Sequence, residues 1–221
     1  MRTRSVSEAP AGASRLIVFT RYPEAGKTKT RMIPALGPEG AAELQVALTR
    51  HALRVAADYC AQNAGEWEVR FAGGDAVKMG QCFGADHDYR PQAGGDLGRR
   101  LAQAVAAAFD EHARRVVVIG ADCPALHAGL LGQAMRALRD SDVVLGPAVD
   151  GGYYLIGMRQ DQPQLFRGID WGSDRVREQT LCKAKQSQLR VHCLRPLSDV
   201  DRPEDLSLCE RYLSGYRAAK K

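Results

Sequence analysis

"RVVVIGADCPAL", Arg115 to Leu126, sets the fold class. Val116, Val117, Val118 and Ile119 run on without a polar alternation, the pattern of a strand covered on both faces. Strands of that kind belong to parallel sheets flanked by helices. The run breaks at Gly120, and a carboxylate, Asp122, follows at once. Ligands of open α/β sheets sit beyond the carboxyl ends of the strands, so Asp122 is a candidate ligand-facing residue.

Reading upstream, Arg15–Thr20 is a buried first strand. Residues 38–62 form a helix with Pro38 in its first turn and Leu44, Leu48, Ala52 and Val55 on one face. Trp67–Phe71 is a second strand, and Leu97, Leu101, Val105, Ala108 and His112 make a helical stripe. Downstream come a helix over 124–139 and the strands Asp142–Gly146 and Tyr153–Met158. A helix over 174–187, a strand Leu189–Leu194 and a helix over 203–214 complete the order. Strands alternating with helices predict one α/β domain, residues 15–214, with a mostly parallel sheet. A leader (1–14), expected to be disordered, and a basic tail (215–221) flank it. The leader lacks the apolar segment of a secretory signal.

The net charge of +5 invites a nucleic-acid partner. Residues 1–14 and 211–221 hold all of that surplus, and residues 15–210 balance to zero. A small ligand is therefore expected rather than nucleic acid. No apolar run reaches the roughly 20 residues of a membrane span. Six cysteines without a C-x-x-C pair exclude the usual zinc spacings and a dense disulfide framework. Reduced thiols in a cytoplasmic protein are expected.

The first strand leads into "FTRYPEAGKTKTRMIPALG", Phe19–Gly37, whose Gly26-Lys27-Thr28 resembles a P-loop core. A P-loop needs G-x-x-x-x-G-K-[ST] with a helix starting at the lysine. Here the first glycine position is Arg21, and the helix start waits for Pro38. What remains is a loop with Gly26 and three cations at period two. Read as extended, it would turn Lys27, Lys29 and Arg31 to one side, toward a polyanion. Thr28 and Thr30 would add hydroxyl donors.

Five segments then carry a resemblance: "YPEAGKTKTRMIPALG", "VVVIGADCPAL", "GPAVDGGYYLIG", "GIDWGS" and "SDVDRPEDL". Together they resemble the GT-A-type glycosyltransferase-like family of bacteria, in the nucleotide-diphospho-sugar transferase superfamily. 2-Phospho-lactate guanylyltransferase and molybdenum-cofactor guanylyltransferase are relatives. The resemblance runs from about Leu16 to Leu208. It implies a nucleotide bound over the amino-terminal half, with Mg²⁺ or Mn²⁺ bridging its phosphates, and Asp122 as a metal ligand. It implies a second metal contact from Asp201 and a weaker case for Asp199. Gly26, Lys27, Lys29, Thr30, Arg31, Gln92, Gly95 and Asp96 would lie against the nucleotide. Asp150 would orient the acceptor or act as its base, in a pocket with Gly151, Gly152, Tyr153 and Trp171.

Several of these residues have structural readings of equal standing. Asp201-x-x-Glu204 also reads as a capping box. Asp150-Gly151 also reads as a hairpin turn, Asp96 as a helix cap, and Trp171 as a core aromatic. Arg99 stands where the family often has an acidic residue. Cys123 has no histidine partner nearby in the sequence and reads as a small buried residue. The strand end Asp122-Cys123-Pro124 lacks the Asp-x-Asp of many glycosyltransferases, and the G-x-G-[ST]-R loop of sugar nucleotidyltransferases is absent. The resemblance tips the expectation to glycosyl transfer from a nucleotide-sugar, with nucleotidyl transfer close behind and non-catalytic nucleotide binding as a third alternative.

Overall fold

A computed structural model describes residues 13–63 and 65–213; the leader and the basic tail lie outside them, apart from the leader's last two residues. The chain runs β1 (Ser14–Arg21), α1 (Ile33–Asn63), β2 (Glu66–Ala72), α2 (Ala76–Phe83), β3 (Tyr89–Pro91), α3 (Leu97–Asp110) and β4 (Arg115–Gly120). It continues through α4 (Ala128–Ala137), β5 (Val143–Pro147), β6 (Tyr153–Met158), α5 (Val176–Gln186), β7 (Val191–Cys193) and α6 (Leu206–Tyr212). The strands form one sheet of seven in the order β3-β2-β1-β4-β6-β5-β7. Each pairing is parallel except the two made by β6. The expected α/β class and mostly parallel sheet are what the chain adopts.

Alternate residues of the inner strands feed two layers, as a period of two requires. Leu16, Val18, Val117 and Ile119 face the layer of α1 and α4, while Ile17, Phe19, Val116 and Val118 face that of α3. A third cluster, Met32, Leu44, Leu48, Val200 and Cys209, closes the start of α1 against the C-terminal segment. Among the described residues no helix is long and apolar enough to cross a membrane.

The strict alternation of strand and helix is corrected at β5–β6, which is an antiparallel hairpin. Five residues can join antiparallel neighbours but cannot make a parallel crossover. Helix α1 begins at Ile33, and Gly37 (φ 71°, ψ 170°) breaks its first turn from the long segment that starts at Pro38. α4 begins at Ala128 rather than 124, because the Leu126 amide donates to Cys123 O (3.1 Å) and closes a turn first. Asp122 therefore starts no helix. The short β3 and α2 went unread in the sequence.

Glu68 is an acid where β2 would otherwise present an apolar side chain, and its side chain is 0% exposed. Arg15 (3.2 Å), Arg90 (3.3 Å) and Arg70 surround it, and Arg15 also meets Glu66 (2.8 Å) and Glu111 (3.0 Å). A buried carboxylate persists only when paired. Glu68→Ala takes from the largely buried Arg70 its carboxylate and from Arg15 one of three, and should cost about 3 kcal/mol. Urea unfolding measures it; a loss below about 1 kcal/mol would mean that water already screens the cluster.

Candidate functional site

The loop after β1 folds back instead of extending. Lys27 N and Thr28 N both donate to Glu24 O (3.1 Å each), and Thr28 Oγ1 donates to Tyr22 O (3.0 Å). Gly26 takes φ 79° and Lys29 takes φ 50°, after which Thr30–Met32 form a 3₁₀ turn. These two left-handed residues destroy the period of two, so the expected one-sided row of cations does not exist. Lys27 turns to Glu24 (2.7 Å) at the surface. Lys29 goes inward, to Asp122 Oδ1 (2.8 Å) and Val200 O (2.6 Å), with its side chain 6% exposed. Arg31 pairs with Asp201.

Asp122 arrives from the end of β4, and Asp199 and Asp201 from the segment before α6. The Val200 amide donates to Asp122 O (2.9 Å), joining the two segments, while the Val200 side chain is fully buried. Its neighbours on either side line the cleft. Asp205 accepts from the amides of Asp201 (3.0 Å) and Arg202 (2.8 Å). The cap thus belongs to Asp205, which leaves the Asp201 carboxylate to Arg31. Burial pushes the Asp199 carboxyl up to about 7, with the Asp150 and Asp122 charges adding to the rise. Cys123 Sγ donates to Asp199 Oδ1 (3.2 Å). Burial, then Asp199, raise that thiol far above its ordinary range, so it is no nucleophile at neutral pH.

Two compartments meet along this acidic ridge. The first, of about 600 Å³, is lined by Lys27, Lys29, Thr30, Arg31 and Gln92, with Arg21, Gln45 and Arg100. The second, of about 460 Å³, is lined by Asp150, Gly152, Tyr153, Trp171, Asp174 and Arg202. Arg31, Asp122, Asp199 and Asp201 line both.

Gln92 Nε2 donates to Thr20 O (3.1 Å) and Arg70 O (3.0 Å), which fixes the floor of the first compartment. Gly26, Gly95, Asp96 and Gly151 shape the surrounding loops and are not lining residues. Asp96 caps α3 by accepting from Arg99 N (2.8 Å), and Arg100 Nε holds Gly95 O (2.9 Å). Tyr153 and Trp171 meet edge to face at 6.3 Å, and their buried Oη and Nε1 have no hydrogen-bond partner among the described residues.

Arg100, Asp174 and Arg202 went unremarked in the sequence, Arg21 was noted only as a departure from a P-loop, and Asp199, the weaker expectation, lines both compartments. The signal for Asp199 was its spacing of two from Asp201 about an apolar Val200. Carboxylate oxygens alone suit a hard Mg²⁺ or Mn²⁺. No cluster of three or more metal-ligating side chains gathers among the described residues. A cation here would take most of its shell from phosphate and water, which is the habit of Mg²⁺.

Residues 47–173 match the bacterial family described as an uncharacterized protein conserved in bacteria (DUF2064). The chain belongs to this family. It is also similar to a candidate nucleotide-diphospho-sugar transferase from Desulfovibrio desulfuricans G20, at 35% identity and a TM-score of 0.82. That match covers 94% of this chain and 92% of the other, and places the DUF2064 member in the nucleotide-diphospho-sugar transferase superfamily. The 4-diphosphocytidyl-2C-methyl-D-erythritol synthase of Anaerococcus prevotii DSM 20548 shares the fold, at 11% identity and TM-score 0.59, over 95% and 99% of the two chains. So does Rv0371c of Mycobacterium tuberculosis H37Rv, solved with manganese, at 16% identity and TM-score 0.55, over 92% and 100%. No curated protein matches the chain.

Gly151 tests the hairpin that carries Asp150. It takes φ 95°, and a Cβ there would run into the backbone carbonyl of Asp174. Asp150 Oδ1 accepts from Gly152 N (2.8 Å), and Arg177 N donates to Gly151 O (2.9 Å). Gly151→Ala should cost about 1–3 kcal/mol from backbone strain alone and pull the tip away from residue 174. Thermal melting and hydrogen exchange of residues 148–177 check it; unchanged protection would show that the tip is not pinned.

Proposed function

We propose that this protein is a metal-dependent transferase that uses a nucleotide-activated donor, with a nucleotide-sugar as donor and glycosyl transfer as its reaction. The observation that carries this reading is the pair of compartments meeting at Asp122, Asp199 and Asp201. The first has the cations for a diphosphate and the second has the aromatic and polar wall of an acceptor site.

Lys29, Arg31 and Lys27, with the Thr30 hydroxyl, bind the donor phosphates; charge-assisted contacts of this kind are the strong ones. Gln92 lies under the base or ribose. Tyr153, Trp171 and Gly152 position the acceptor. The acceptor oxygen bonds to the donor sugar's anomeric carbon as that carbon's bond to the phosphate oxygen breaks. A nucleoside diphosphate leaves, and Asp150 orients the acceptor hydroxyl or takes its proton. Asp122 and Asp201 would hold a divalent cation, which when bound supplies charge neutralisation at the leaving phosphate oxygens.

Nucleotidyl transfer is the second reading, and the strand end favours it. Asp122-Cys123-Pro124 contributes one carboxylate, that of Asp122, and the other would come from a distant segment. An acceptor would then attack phosphorus and release pyrophosphate. Incubation with nucleotide-sugars and with nucleoside triphosphates, each with Mn²⁺, separates the readings. Nucleoside diphosphate marks the first and pyrophosphate the second. Binding without turnover of either kind would leave a nucleotide-binding protein.

Lys29→Ala and Arg31→Ala should each weaken nucleotide binding by about 1.5–3 kcal/mol, read by calorimetry with the nucleotide that most raises the melting temperature. Asp122→Asn should abolish the extra melting shift that Mn²⁺ adds to that nucleotide, because an amide is a poorer ligand for a hard cation. A variant that keeps the full shift removes Asp122 from the metal site.

A further inference from the structure

Lys29 is held more tightly than a phosphate-binding lysine needs to be. Its backbone sits at φ 50°, ψ 43°, a costly conformation for a residue with a side chain. Its ammonium lies between Asp122 Oδ1 (2.8 Å) and Val200 O (2.6 Å), with the side chain 6% exposed. Val200 is itself bound to Asp122 through its amide (2.9 Å). A carboxylate and a carbonyl oxygen are the partners that a hard metal cation also selects. Lys27, two residues away, is 71% exposed and meets Glu24 at the surface.

We infer that Lys29 is a tethered counter-ion of Asp122 that competes with the divalent cation, so that the cation binds with the donor and not ahead of it. The inference rests on the metal-dependent reading of the cleft. Two positive charges drawn to one carboxylate repel each other, and a partly enclosed site screens them poorly. The donor relieves the conflict. Lys29 lines the same compartment as Thr30 and Arg31, so phosphate oxygens there can accept the ammonium as it leaves Asp122. Charge stays balanced through the exchange, and no covalent bond changes.

The test uses Mn²⁺ alone, titrated into the full chain and followed by the loss of the free-ion resonance in electron paramagnetic resonance. Lys29→Met keeps the apolar stem of the side chain, ending one atom short, without its charge. It should bind Mn²⁺ at least tenfold tighter than wild type, whereas Lys29→Arg should not. Adding Asp122→Asn to Lys29→Met should erase the gain. An affinity for Lys29→Met within twofold of wild type, or a gain that survives Asp122→Asn, overturns the inference.

The methionine leaves Val200 O without its donor, so a measurement on wild type covers a variant that does not fold. Acetylation by acetic anhydride, resolved by residue with mass spectrometry, should modify Lys27 fast and Lys29 slowly. Saturating Mg²⁺ should speed Lys29 severalfold and leave Lys27 unchanged; an unaltered Lys29 rate also overturns the inference. The melting shift with Mn²⁺ and nucleotide reports separately on the parent proposal. Its absence removes the metal site altogether. Its presence, with Mn²⁺ affinity indifferent to Lys29, removes only the competition.

Discussion

Everything at the cleft depends on β1 and β4 lying side by side and parallel. From β1 the chain builds outward through β2 and β3, and at β4 it starts again on the other side. The two loops that leave β1 and β4 are therefore neighbours on one rim of the sheet. They open a crevice at the point where the strand order reverses, the usual ligand position in such sheets. Lys29 and Asp122 come from these two loops, and their ion pair spans the crevice. The C-terminal segment is then drawn in by Val200, whose side chain completes an apolar cluster and whose backbone joins both loops.

The sheet treats charge differently at its buried face and at its cleft. Glu68 is enclosed by three guanidiniums, a fixed arrangement without an exit for any partner. Along the cleft, the carboxylates of Asp122 and Asp201 meet Lys29 and Arg31, and all four residues line the first compartment. Pairs of the first kind hold a structure together. Pairs of the second kind are open to exchange, and on the proposed reading incoming phosphate and cation would replace what each partner loses.

The fold was legible because buried parallel strands leave continuous apolar runs, and Arg115–Gly120 has one. The hairpin at Asp150-Gly151 was visible as a turn signal, yet its consequence for β6 was not drawn, because strand direction is not written in a strand's own composition. The short β3 and α2 carry too few residues to show a period. At the site, the residue types were readable but their directions were not. Two left-handed residues, Gly26 and Lys29, turned an expected row of cations three ways, and nothing in a lysine's identity announces φ 50°. Asp201 offered a capping box in the sequence, but Asp205 filled that role because its carboxylate reaches the two amides at the turn. Asp199 gains its character from burial beside other carboxylates, which only the folded chain brings about.

The antiparallel placement of β6 divides the labour of the chain. Lysines, arginines and amides of the first compartment come almost wholly from residues 19–123, whereas the aromatic and acidic wall of the second comes mainly from residues 150–202. The hairpin tip reaches the rim from the far side of the sheet and is tied to residues 174–177, not to the loop after β1. On the proposed reading, sequence drift in the hairpin and in the segment around Trp171 would change what is accepted while what is donated stays the same. Descendants of one ancestral chain would then diversify their products by editing one half of the gene.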